Sequence, residues 1–133
     1  MTAQKHDIKT SEDVRLMVDT FYQNLQKNDS LNHVFNRVAQ VDWNTHLPKM
    51  YSFWETLLFH KASYKGNPME AHRKVNNKEP FTMEMFQNWL DIFRETVNGL
   101  FEGPNAIIAV NKAENIAKVL QAKLLTEKTE EHE

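Results

Sequence analysis

The sequence contains no cysteine. That excludes disulfides, thiolate metal sites, iron–sulfur clusters and a cysteine nucleophile, and it leaves histidine, methionine and carboxylates as the ligands for any metal or cofactor. An excess of positive charge is also missing: 16 Lys and Arg stand against 18 Asp and Glu, a net −2, with no concentrated basic block. A phosphate backbone finds nothing to recognise, so nucleic acid is a poor partner. The longest apolar run, Ala106 to Val110, spans five residues, far below the ~18 that suggest a bilayer span. The polar start MTAQKHDIKTSED has no signal-peptide core, so the expected location is the cytoplasm with no membrane partner. Glycine and proline are scarce, 3 and 4 residues, and β-branched alternating runs are absent. Long helices with few breaks are what remains.

What is present is a globular composition, 41% hydrophobic and 26% charged, over 133 residues. That is one domain's worth of chain, with no internal repeat. The expectation is a single all-α domain over residues 1–133, with 1–9 and 126–133 as frayed tails. A first long helix starts at Thr10, whose hydroxyl is placed to cap Glu12 or Asp13, and buries Val14, Met17, Val18, Phe21, Tyr22 and Leu25. It stops near Asn28-Asp29-Ser30, and a short turn carries Leu31, Val34 and Phe35. A second helix presents His46, Met50, Phe53, Trp54 and Leu57 and ends near Lys61. Proline is comfortable only early in a helix, so Pro48 puts its start near Trp43 to His46, with Asp42 or Thr45 as cap. Asn67 and Pro68 open a short helix to about Asn76 that holds His72. A third long helix buries Phe86, Trp89, Leu90, Phe93, Val97 and Leu100, closed by Gly103-Pro104, and a fourth runs from about Asn105 to Leu125.

Among the six histidines, His6, His33, His60 and His132 lie in polar stretches or near element ends. His46 and His72 differ, because Met50 and Phe53 follow the first at helical steps while Met69 and Val75 flank the second. Each reads either as a buried imidazole satisfied by hydrogen bonds or as a ligand. Tyr22 and Trp89 likewise bring one hydrogen-bond donor each onto an apolar face, where a backbone carbonyl or a shared ligand would satisfy them. A two-histidine zinc site lacks a third ligand or an HExxH spacing to supply one. No Gly-x-Ser-x-Gly turn or Gly-rich phosphate loop supports a hydrolase or a kinase.

Taken in order, Phe21-Tyr22, Phe35 thirteen residues past Tyr22, His46-Leu47-Pro48-Lys49-Met50 with Phe53-Trp54, Tyr64-x-Gly66-x-Pro68-Met69-x-x-His72, and Trp89-Leu90 form a pattern across about residues 7 to 125. In it the chain resembles the truncated haemoglobins, most closely their third group, which lacks the paired-glycine motifs of the other groups. The resemblance implies a two-over-two helical globin holding haem b without covalent attachment, since no Cys-x-x-Cys-His motif exists. It makes His72 the iron ligand, Phe35 the aromatic on the porphyrin, and Tyr22, His46 and Trp89 the distal pocket, with His46 as a donor or a gate. Met50, Phe53, Trp54, Met69, Val75 and Phe93 become apolar walls, and Lys49 or Tyr64 meets a propionate. The implied function is reversible binding of oxygen, nitric oxide or carbon monoxide. A haem redox enzyme, a nitric oxide dioxygenase or peroxidase-like, with a reductase partner is the alternative. A helical interaction module whose histidines and aromatics are simply core is the rival from another class.

Overall fold

Each helix begins where a side chain is at hand to satisfy its first amides. The computed structural model describes residues 5–61, 66–78 and 81–131. Its first helix, α1, runs Ser11–Leu25 behind Thr10, whose hydroxyl accepts from the Asp13 amide at 3.1 Å while the Asp13 carboxylate accepts from the Thr10 amide at 3.1 Å. Asn28 caps the short helix α2, Asp29–His33, and Asp42 caps α3, Trp43–Phe59. Pro48 therefore sits inside α3 in its second turn, where it brings no amide proton to the Asn44 carbonyl. The Asn67 side chain accepts from the Glu70 amide at 3.1 Å at the start of α4, Pro68–Lys78. Thr82 caps α5, Met83–Leu100.

Three boundaries depart from the sequence reading. The turn after α2 is a π-helical turn, Val34–Val38, in which the Ala39 amide reaches back five residues to the Val34 carbonyl at 2.8 Å. Helix α3 stops at Phe59 rather than Lys61 because His60 takes the left-handed conformation, φ 60°. Helix α6 runs Pro104–Glu131, past the end near Leu125 expected from the apolar stripe, and Glu and Lys lose little in a helix.

Residues 5–9 also depart from the expected tail. Ile8 is fully buried, and the Asp7 carboxylate caps α6 by accepting from the Asn105 and Ala106 amides at 2.9 Å each. Gly103 makes that approach possible: its φ is +147°, and a Cβ there would lie 2.5 Å from Asp7 Cγ.

Helices α1 and α3 pack on each other, α5 and α6 do the same, and the layers meet through α1 on α5 and α3 on α6. This is the two-over-two arrangement, with no strand among the described residues. Buried side chains form two clusters. The larger joins Val14, Met17, Val18, Phe21 and Leu25 of α1 to Trp54, Leu58, Phe93 and Val97, and the smaller gathers Phe86, Leu120 and Leu124 with Met69, Phe81 and Ile116 against them. No helix among the described residues is long and apolar enough to cross a membrane.

Candidate functional site

A domain of this size ordinarily closes one contiguous core. Here a cavity of about 390 Å³ is lined from both clusters. Helical spacing explains which side chains reach it. His46, Lys49, Met50, Phe53 and Trp54 lie three, four, seven and eight residues along α3, one face of a helix. Ala71, His72 and Val75 do the same on α4, Phe21 and Tyr22 come from α1, and Met85, Phe86 and Trp89 come from α5. Phe35 arrives from the π-helical turn, whose wide coil is closed by the Val41 amide on the Phe35 carbonyl at 2.9 Å.

Two polar arrangements face one another in chemistry. His72 Nδ1 lies 2.6 Å from the Pro68 carbonyl, four residues back on its own helix. A carbonyl only accepts, so Nδ1 carries the proton and, in the neutral ring, Nε2 is left unprotonated with its lone pair available. Burial lowers the His72 pKa, and the bond to Pro68 offsets part of that. His46 Nε2 instead lies 3.1 Å from the Tyr22 hydroxyl, with the two rings edge to face at 5.2 Å. Burial again lowers the His46 pKa, with repulsion from His72 whenever that ring is protonated and from Lys49 adding to it. Burial raises the Tyr22 phenol above its ordinary value, so this pair is neutral near pH 7. If His46 donates to the phenol oxygen, the Tyr22 proton is left to point into the cavity.

Trp89 stacks on Phe93 at 5.9 Å, and Phe93 stacks on Trp54 at 4.9 Å, which gives one wall a rigid three-ring pile. Among the described residues no three His, Asp or Glu come together as a metal cluster.

Of the residues named from sequence, Tyr22, Phe35, His46, Lys49, Met50, Phe53, Trp54, His72, Val75 and Trp89 line the cavity. Phe93 stands one layer behind it between the two tryptophans, and Met69 packs on the smaller cluster. Tyr64 lies outside the described residues. Sequence reasoning took Ile116, Ala117, Leu120 and Phe86 for core or left them unremarked, yet they line the cavity, as do Phe81 and Ala71. Ala71 adjoins His72 and stands one turn before Val75, a signal that was available; the α6 residues carried none. Trp43 was also missed, and its ring contacts Tyr22, Phe35 and His46 at 5.3 to 5.7 Å.

No family model matches the chain. The chain is 26% identical over 120 residues to the group 3 truncated haemoglobin of Campylobacter jejuni subsp. jejuni, covering 88% of this chain and 92% of the relative. Its fold matches the crystal structure of the group III truncated haemoglobin from Campylobacter jejuni with a TM-score of 0.79 at 27% identity, covering 91% of this chain and 95% of that one. The fold is that of a truncated globin, and the resemblance to the third group carried by the sequence motifs holds in both sequence and structure.

Proposed function

We propose that the chain is a haem protein that holds one b-type haem non-covalently in this cavity and binds oxygen, nitric oxide or carbon monoxide reversibly. The observation that carries this reading is His72: of the two imidazoles lining the cavity, His46 is hydrogen-bonded to Tyr22 through Nε2, whereas His72 commits its Nδ1 proton to the Pro68 carbonyl and leaves Nε2 to ligate. One protein nitrogen suits a metal whose other ligands come from a macrocycle. The cavity fits the group in other respects. At about 390 Å³ it is lined mostly by aliphatic and aromatic side chains, within the ~300–1,000 Å³ common for cofactor sites. The absence of cysteine favours non-covalent retention.

When bound, the haem supplies an iron whose open position takes a diatomic ligand. The protein's part is holding and orienting. The Pro68 carbonyl fixes the His72 tautomer and raises its basicity as a ligand. The Tyr22 hydroxyl and Trp89 indole hold protons for a ligand that carries partial negative charge, in a site where most water is excluded. His46 orients Tyr22 through their hydrogen bond and acts as donor or gate. Phe35 provides an apolar face edge-on to Tyr22 at 5.7 Å, with Met50, Phe53, Trp54 and Val75 as walls and Met69 and Phe93 behind them. Exposed Lys49, or else Tyr64, which lies outside the described residues, pairs with a propionate in this reading. The proposed setting is the cytoplasm.

Absorbance of the purified chain titrated with haem tests the proposal. A Soret band that His72→Gly abolishes or shifts is the expected result, and no band after haem addition would overturn it. The same donors suit a redox enzyme supplied with electrons by a reductase. Turnover of nitric oxide or peroxide, measured with such a reductase present, separates the enzyme from the carrier.

A further inference from the structure

Among the described residues two polar side chains are buried, Asn76 and Thr96. Thr96 serves the packing of α1 on α5, donating to the Ile92 carbonyl at 2.8 Å and accepting from Asn24 at 3.1 Å. Asn76 reaches out of its helix: its side-chain oxygen accepts from the Phe81 amide at 2.9 Å. It lies one turn after His72 on α4, so the two share a face. Phe81, held in this way, stands edge-on to the His72 ring at 6.3 Å and to Phe86 at 5.7 Å, and it lines the cavity.

The side-chain torsion that turns a histidine ring is broad, and a single hydrogen bond at Nδ1 leaves the ring to rock about that bond. A second contact against the ring is what removes the freedom. Phe81 supplies that contact, yet it precedes the Thr82 cap and belongs to no helix. The bond from Asn76 tethers the Phe81 backbone, while packing on Phe86 supports the ring it carries.

We infer that Asn76 is a positioning residue for the His72 imidazole. By tethering Phe81 it sets the orientation of the ligating ring, and through it the iron–imidazole bond and the residence time of the haem. This rests on the function proposed above. Direct hydrogen-bond partners of a metal ligand typically change metal retention ~10–100-fold when lost, and Asn76, acting through Phe81, is expected at the low end of that range.

The experiment compares the full chain with Asn76→Leu, which keeps the size and removes the acceptor, and Asn76→Asp, which keeps an acceptor oxygen. Hydrogen exchange at the Phe81 amide, the iron–imidazole stretching band in the ferrous protein, and haem transfer to an excess of a haem-scavenging globin are measured. Asn76→Leu is expected to shift or broaden the band and to lose haem roughly tenfold faster, with Asn76→Asp restoring both. Faster Phe81 exchange with an unchanged band and unchanged haem loss would show a loop tether alone and overturn the inference. Should Asn76→Leu not fold, Phe81→Leu removes the ring with Asn76 intact, and an unchanged band there overturns it equally. If the unsubstituted chain shows no Soret band, the proposed function falls first and takes this inference with it.

Discussion

Replacing Tyr22 by Phe removes one hydroxyl and leaves every ring contact in place. The Tyr22 ring meets Phe21, Phe35, Trp43 and His46 at 5.2 to 5.7 Å, and those contacts need no oxygen. What is lost is the 3.1 Å bond to Nε2 of His46, a half-buried ring that lines the cavity. In the haem-free chain that is a neutral hydrogen bond worth ~0.5–1.5 kcal/mol, a fall of roughly 2–7 °C in Tm for a domain of this size. With oxygen bound the hydroxyl addresses a charged acceptor, worth ~1.5–3 kcal/mol, or about 10- to 150-fold in oxygen dissociation. Trp89→Phe acts in the same range, and the double variant falls short of the product if both donors reach one oxygen atom. His46→Leu acts chiefly on association, because α3 lacks a backbone bond beside it at Pro48. Thermal unfolding of the haem-free chain and stopped-flow and flash-photolysis rates of the loaded one measure both arms. The reasoning fails if Tyr22→Phe lowers the Tm as expected but leaves oxygen dissociation within about twofold, or if His46→Leu changes that rate most.

Haem retention should fall more on His72→Ala than on His60→Ala, since His60 is an exposed helix-end residue; haem transfer rates decide, and equal loss would refute the assignment of His72. Burial holds His46 and His72 below their ordinary values, so below pH ~6.5 the unfolded chain binds protons the folded one resists. Stability of the haem-free chain should therefore be flat above pH ~7 and decline as pH drops through ~6.5, by less in His46→Leu; denaturant titrations across that window check it. Gly103→Ala places a Cβ 2.5 Å from Asp7 Cγ at φ +147°, and calorimetry should show a loss of roughly 1–3 kcal/mol. Phe93→Ala opens the stack between Trp54 and Trp89 and should cost ~3–5 kcal/mol, with weaker haem retention; a small loss would mean the two tryptophans close on each other.

Much of the helical frame was legible because its signals are local. Thr10, Asp42, Asn67 and Thr82 cap amides within three residues of themselves, and Val14 to Leu25 repeat at steps that only a helix turns to one side. Aromatic and polar residues on those stripes also pointed to His72, His46, Tyr22 and Trp89, and all four line one cavity. The π-helical turn had no such signal, since it depends on where the Val34 and Phe35 carbonyls find donors. The ends were misread for a related reason: Asp7 and Ile8 have partners about a hundred residues away, and no window on the sequence joins them.

The sequence by itself determined the helices, most of their caps, their buried stripes and the two imidazoles on apolar faces, because each follows from neighbours within a turn or two. The tertiary structure alone decided what those stripes meet. Ala117, Leu120 and Phe86 read as ordinary core and Ile116 drew no notice, and all four became cavity wall only because α4 and α6 stand where they leave 390 Å³ between two clusters. Tyr22 and His46, on different helices, are a hydrogen-bonded pair only in the packed chain. Asn76 reaches Phe81 across the end of its helix for the same reason. Packing is a relation between segments distant in the chain, and periodicity records which face of a helix is buried without recording against what.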